Sequence, residues 1–320
     1  MPQIQSKYIP LYNSKKRYFV LTGGRGSGKT FVVQDLLIRL LEEVGQGVLY
    51  TRFTMTSVEK TIIPLFSKHI ELISDISNYN ITKTFIENKR TGSFIMFSGI
   101  KTSSGDQTAN LKTLPNITTW VIEEGEDYNN ESSFTDIDDS IRGDLLQNRV
   151  IWIQNPTTRE HFIYKKFFEG NFEHRKIDGV KYQHCTHEKV EHIHTTYLDN
   201  LDNLDSEKVK EWRSTKLTDP KKYANKYIGA WLDKAEGAIF PSWSIGEFDE
   251  SLPSIYGMDF GYVNDPTSLI KVAQTHDKIY TKGLLYKLGM STNDIINFLK
   301  HTVNRNDLIV ADCAEPRLIE

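Results

Sequence analysis

The sequence predicts an α/β chain in two parts: a first domain over residues 1–235 with a mainly parallel sheet, a linker over 236–252, and a smaller α/β domain over 253–320. Two patterns carry that prediction. Near the start, an apolar run, a glycine-rich turn, a helical run and a second apolar run follow one another, which is a βαβ unit. Beyond Gly237 and Pro241 the pattern changes to three strand-like runs on short links, then a helix and one more strand.

Taken in order, "RYFVL" (17–21) is short and apolar and leads into "TGGRGSGKT". "FVVQDLLIRLLEE" then sets Val33, Leu36, Leu37, Leu40 and Leu41 at helical spacing, and Gly45 and Gly47 end it. "VLYTRF" is the second strand. "TTWVIEE" and "RVIWIQNP" are apolar on successive positions, as strands covered on both faces are, and join the same sheet. "LDNLDNLD", from Leu198 to Asp205, reads as a polar loop before the helical run "SEKVKEWRSTKL". In the second part "SIYGMDFGY", "TSLIKVAQT" and "KIYTKGLLYKL" form an antiparallel meander through "VNDP" and "HD". "STNDIINFLKHTV" is a helix with Ser291 and Asp294 as a capping box, and "LIVAD" is the fourth strand.

Composition narrows the class. A net charge of −3 with 38% apolar and 25% charged residues argues against global disorder and against a uniformly basic nucleic-acid binder, while leaving room for a local basic groove. Cys185 and Cys313 stand far apart and form no disulfide framework, which points to a reducing compartment. The start, "MPQIQSKYIPLYNSKKRYFV", has no secretion pattern, and no apolar run reaches membrane-span length. These features predict a cytoplasmic protein without a membrane partner. "HCTHEKVEHIH" is dense in histidine (His184, His187, His192, His194), but its spacing matches no zinc finger, and the residues read as polar strand and loop positions.

The chemistry starts at Gly23, Gly24, Arg25, Gly26, Ser27, Gly28, Lys29 and Thr30, which satisfy G-x-x-x-x-G-K-[ST] between a strand and a helix. Glycines let backbone N–H groups close around phosphates at the positive end of the following helix. Lys29 is placed to reach the β- and γ-phosphates of a nucleoside triphosphate, and the Thr30 hydroxyl to bind Mg²⁺. Hydrolysis also needs an acid on the metal side and a carboxylate to orient water. Glu123 and Glu124, at the end of "TTWVIEE", are assigned to the metal and the water respectively. Glu126, Asp127 and later acids read as continuing surface acidity. Arg25, inside the loop, is a candidate for transition-state charge in cis, and Arg142 a candidate acting on a neighbouring subunit.

With these motifs in place, the chain resembles the large terminase subunit of tailed bacteriophages, a DNA-packaging motor with a nuclease. The matching stretches are "RYFVLTGGRGSGKT", "WVIEEGEDY", "IWIQNPTTREHFIYKKFF", "HTTYLDN", "YIGAWLDKAEGAIF", "YGMDFGYVNDPTSLI" and "ADCAEPRLIE", in family order over almost the whole chain. The resemblance implies a P-loop ATPase domain followed by a ribonuclease-H-like nuclease domain, using ATP and Mg²⁺ in the first and Mg²⁺ or Mn²⁺ in the second. It implies that Asn155 and Pro156 belong to the segment coupling hydrolysis to movement. From the residues themselves, a polar side chain at that strand end is placed to sense a γ-phosphate. Asp259 and Asp312, each ending a strand, would hold the nuclease metals, with Glu315 as a weaker ligand. In the family a third acid follows on a later helix, and this sequence stops before it, so the nuclease part is expected to be incomplete. Further implied are double-stranded DNA, a small terminase subunit, the portal protein of the procapsid, a homo-oligomeric ring, and the cytoplasm of an infected bacterial host. A P-loop ATPase or helicase without nuclease activity, and a non-catalytic nucleotide-binding assembly subunit, stay open as alternatives.

Overall fold

Four parallel strands bring the candidate residues of the first domain to one edge of one sheet. A computed structural model describes residues 4–52, 54–102, 105–106, 116–143, 147–233, 243–261 and 265–311. The chain divides into two units, Met1–Ile239 and Phe240–Glu320.

In the first unit the strands are β1 (Tyr18–Gly23), β2 (Gly47–Arg52), β3 (Tyr79–Ile81), β4 (Phe85–Asn88), β5 (Phe94–Gly99), the short pair β6 (Lys101–Thr102) and β7 (Gly105–Asp106), β8 (Thr119–Ile122), β9 (Arg149–Gln154), β10 (Phe172–Ile177), β11 (Val180–Cys185) and β12 (Val190–Thr195). An eight-stranded sheet has the order β12-β1-β9-β8-β2-β5-β4-β3. From β12 to β5 every pairing is parallel; β4 and β3 finish the far edge antiparallel. The two strands of the first βαβ unit are therefore not neighbours, because β9 and β8 lie between them. That insertion has a functional result. The carboxyl ends of β1, β9, β8 and β2 deliver, side by side, the phosphate loop, Asn155, the Glu123–Glu124 pair and Arg52, where ligands of open parallel sheets bind.

Side-chain alternation divides these strands between two cores. Phe19, Leu21, Val48, Tyr50, Val121, Ile151 and Ile153 face the helix Lys29–Leu41, and Val20, Leu49, Trp120, Ile122, Val150 and Trp152 face Phe134 and Phe162 on the other side. Burial on both faces explains the near-continuous apolar runs. Gly47 opens β2 instead of ending the helix before it, because a Cβ there would lie 2.1 Å from the Asn116 carbonyl oxygen. The segment expected as a polar loop from Leu198 folds instead into 3₁₀ turns (Tyr197–Asn203), begun by a Thr196–Asp199 capping box. β10 and β11 form a hairpin whose Asp178–Gly179 turn has both residues at positive φ, as a two-residue turn of primed type requires.

The second unit is a four-stranded sheet of order β15-β14-β13-β16: β13 (Ser254–Asp259), β14 (Thr267–Gln274), β15 (Ile279–Lys287) and β16 (Ile309–Ala311). β13 pairs antiparallel with β14 and parallel with β16, so the first and fourth strands lie side by side. The helix Thr292–Thr302 packs Ile295 against Tyr256, Met258 and Leu269, and Ser291 and Asp294 form its capping box. Among the described residues no helix is long and apolar enough to cross a membrane.

The histidine-rich stretch turns out to secure β1. His192 and His194 are buried on β12 beside it. The backbone N–H of Cys185 donates to His192 Nδ1 (2.9 Å), so His192 carries its proton on Nε2 and donates to Thr22 Oγ1 (2.7 Å). The Thr22 hydroxyl then donates to His194 Nδ1 (2.8 Å), and His194 Nε2–H donates to the Ile228 carbonyl (2.9 Å). Both imidazoles must be neutral for this chain of bonds. Burial lowers His194 from 6.5 to about 3. A histidine depressed in the folded state leaves stability untouched above its unfolded value and removes it as pH falls toward the folded value. Between 6.5 and about 3 the unfolded chain binds the extra proton, so each pH unit in that window costs about 1.4 kcal/mol for this residue. We therefore predict that unfolding free energy, measured in urea, falls between about pH 6.5 and pH 5, above the range of ordinary carboxylates. In a His194→Gln variant the slope over that window should be shallower; parallel slopes for the two proteins would refute the assignment.

Candidate active site

The loop between β1 and the helix Lys29–Leu41 is held where side chains would not fit. A Cβ on Gly23 would sit 1.7 Å from the Thr195 carbonyl oxygen, and one on Gly24 1.9 Å from that of Tyr227. Gly28 caps the helix at φ +82°, a left-handed conformation that glycine adopts without strain. Arg25 N–H donates to the Lys226 carbonyl (3.0 Å), and Asn200 Nδ2 to that of Gly26 (2.9 Å). The loop is thus clamped from the 197–229 region as well as from the sheet. Asn200 was not legible as a site residue, because its role depends on the 3₁₀ turns that aim it.

A cavity of about 570 Å³ opens over this loop and includes Glu123, Glu124, Glu126 and Asn155 in its lining. Lys29 is buried and turned back on its own loop. Its Nζ donates to the carbonyls of Gly23 (3.2 Å) and Gly24 (3.0 Å), to Ser27 Oγ (3.1 Å) and to Asn155 Oδ1 (3.1 Å). Burial lowers its pKa to about 8 against the opposing pull of Glu126 and Glu123, so it is charged at neutral pH.

Thr30 Oγ1 donates to Glu123 Oε1 (2.6 Å), and Tyr50 OH donates to Glu123 Oε2 (2.7 Å). Burial pushes the Glu123 carboxyl upward, and the two hydroxyls oppose that shift. A threonine hydroxyl and a carboxylate in contact form an all-oxygen donor set, which suits a hard divalent cation. Glu124 sits one residue further on at φ +53°, ψ +48°, a strained left-handed conformation for a non-glycine residue. Its carboxylate is engaged by Arg52, through Nε (2.6 Å) and Nη2. Arg52 also donates to Thr61 Oγ1 (2.7 Å), so it links Glu124 to the helical segment after β2. Gly125 follows because a Cβ there would lie 2.4 Å from the Trp152 indole.

Two residues beyond Glu124, Glu126 accepts from Asn155 Nδ2 (2.9 Å) and from the Asn155 backbone N–H (3.2 Å). This acid is part of the cavity and not of a solvated surface run. Sequence carried no signal for either Arg52 or Glu126, since each is identified only by its partner across the sheet. Arg25 is exposed and lines the cavity, whereas Arg142 is exposed and does not line it. Asp259 is exposed at the end of β13, in the second unit; Asp312, Glu315 and Cys313 fall outside the described residues. Among those residues no group of three or more His, Cys, Asp or Glu is arranged to hold a metal ion.

A family model described as "Phage terminase large subunit" matches residues 15–230, more than half of the chain. Among solved structures, the large terminase of a thermophilic bacteriophage superposes with a TM-score of 0.56 at 16% identity, covering 99% of this chain and 79% of that one. The large terminase ATPase domain of a Thermus phage superposes with a TM-score of 0.50 at 13% identity, over 72% of this chain and 94% of that one. At these identities the superpositions speak to the fold. No curated protein sequence matches the chain significantly. The ordered motifs, the sheet that carries them and the family match agree: this chain belongs to the phage terminase large subunit family.

Proposed function

We propose that the first unit is an ATPase motor that moves double-stranded DNA into a procapsid, working as a ring with copies of itself at the portal and supplied with DNA by a small terminase subunit. The observation that carries the reading is the convergence of Lys29, Thr30, Glu123, Glu124 and Asn155 on one cavity over the phosphate loop. Thr30 and Glu123 would hold Mg²⁺, which supplies charge neutralisation to the phosphates when bound. Lys29 would exchange its four internal acceptors for phosphate oxygens. Glu124 is the carboxylate for the attacking water, and it is available only when Arg52 releases it. Arg25, at the cavity, is the candidate for charge supplied in cis; Arg142, exposed and away from it, is suited to a neighbour's site. Asn155, bonded to Lys29, is placed to detect the γ-phosphate.

DNA would be held mainly through its phosphates, as expected of a motor indifferent to sequence, so its stimulation of turnover should weaken steeply with salt. In the second unit we assign Asp259, with Asp312, to Mg²⁺ or Mn²⁺ binding for DNA cleavage, supported by the strand-end position of Asp259 and the parallel neighbour β16.

Four substitutions test this reading. Lys29→Ala loses nucleotide binding. Glu124→Gln binds ATP but turns it over about 10²–10⁴-fold more slowly, the usual worth of a positioned base. Turnover within threefold of wild type would remove Glu124 from the mechanism, and binding without turnover in the wild type, with DNA and portal present, would favour a non-catalytic subunit.

Arg52→Ala should raise turnover measured without DNA, by freeing Glu124. A tenfold fall instead would make Arg52 part of the catalytic charge. Asp259→Asn should leave ATP turnover unchanged while removing any Mn²⁺-dependent plasmid cleavage; cleavage that survives the substitution would contradict the Asp259 assignment.

A further inference from the structure

This inference rests on the reading of the cavity as an ATP site. The Asn155 amide is held at both ends, and its orientation is dictated by chemistry. A carboxylate accepts and does not donate, so the bond to Glu126 Oε1 (2.9 Å) must come from Asn155 Nδ2, and the second Glu126 oxygen takes the backbone N–H of the same residue (3.2 Å). Asn155 Oδ1 is thereby turned to Lys29, whose Nζ donates to it at 3.1 Å. The asparagine thus serves Lys29 as an acceptor, the part a phosphate oxygen would play.

Phosphates in the loop would draw Lys29 away and leave Asn155 Oδ1 facing their oxygens, acceptor against acceptor. To donate to a terminal phosphate, the amide must turn over. Once turned, its Oδ1 faces the Glu126 carboxylate, which is again acceptor against acceptor. One added proton resolves the conflict: a protonated Glu126 donates to Oδ1, and Asn155 Nδ2 donates to the phosphate.

We propose that Glu126 is a positioning residue that sets which end of the Asn155 amide faces the nucleotide, and that recognition of a terminal phosphate by Asn155 is coupled to uptake of one proton from solvent by the Glu126 carboxylate. The step makes one carboxylic O–H bond on Glu126 and breaks the bond that held the proton on a buffer acid or hydronium ion, whose conjugate base stays in solution. The surroundings favour it. Burial already raises Glu126, with the Asn155 bonds and the charge of Lys29 opposing. Moving Lys29 toward phosphates weakens that opposition, and a terminal phosphate adds negative charge. The other charged groups at the cavity are Arg25 from the loop and Glu123 and Glu124 from the end of β8, the last paired with Arg52 from β2.

Calorimetric titration of the full chain with Mg²⁺ and either a non-hydrolysable ATP analogue or ADP, in buffers of different ionisation heat, counts the protons exchanged. The wild type is expected to take up about one proton more with the analogue than with ADP near neutral pH, and to bind the analogue more tightly as pH falls from about 8 to about 6. In Glu126→Gln that difference should vanish, because a glutamine amide presents a donor or an acceptor to Asn155 without titrating. Subtracting the variant also removes the nucleotide's own proton exchange. Asn155→Ala, which keeps the carboxylate but has no amide to turn, should lose the same difference and serves if the first variant fails to fold. Equal proton counts in wild type and either folded variant overturn the proposal. A wild type that binds neither nucleotide overturns the ATP-site reading, and this inference with it.

Discussion

The absence of room for a Cβ at the phosphate loop is the constraint on which the rest of the structure depends. Gly23 meets the carbonyl of Thr195, Gly24 that of Tyr227, and a Cβ on Gly229 would lie 2.5 Å from Gly23 Cα. The loop is wedged between the last residue of an edge strand and the end of a helical segment near residue 228. That wedge determines where Lys29 and Thr30 begin their helix. The bonds from His192 through Thr22 and His194 to the Ile228 carbonyl tie the same parts together from below. A phosphate-binding loop has to approach its ligand with bare backbone, and here the same glycines let it approach its own scaffold.

Around the loop, four of the groups that chemistry would need are already committed to internal partners. Lys29 is bonded to loop oxygens and Asn155, Glu123 to two hydroxyls, Glu124 to Arg52, and Asn155 to Glu126. Buried polar and charged groups are costly when left unpaired, and these are satisfied within the protein. The arrangement is therefore one of exchange. Nucleotide and metal would not fill a waiting set of free groups; they would replace one set of hydrogen bonds with another. The strained backbone of Glu124 and the reach of Arg52 to Thr61 connect that exchange to the segment after β2.

Much of this was legible in the sequence. "GGRGSGKT" between a strand and a helix identified the loop, and the apolar runs before Glu123 and Asn155 identified two strands of its sheet. The meander followed from its short links, and the parallel return of "LIVAD" from the resemblance to a ribonuclease-H-like domain. What stayed hidden depended on register. Arg52 and Glu126 belong to no motif; their roles come from pairing across strands distant in sequence. β3 and β4 are short strands in a polar context, so alternation over three or four residues did not stand out. Asn200 fell in a stretch taken as loop, because "LDNLDN" has the composition of a loop and takes its 3₁₀ form from the Thr196–Asp199 cap.

On the proposed reading, nucleotide and metal would take over bonds that the protein makes to itself. The most direct test is a crystal structure of this chain with Mg²⁺ and ADP–beryllium fluoride. In that structure Lys29 Nζ is expected to have left Asn155 Oδ1 and the Gly24 carbonyl for the phosphates, and the Thr30–Glu123 bond to have opened around the cation. A structure with nucleotide bound and those internal bonds unchanged would contradict that reading.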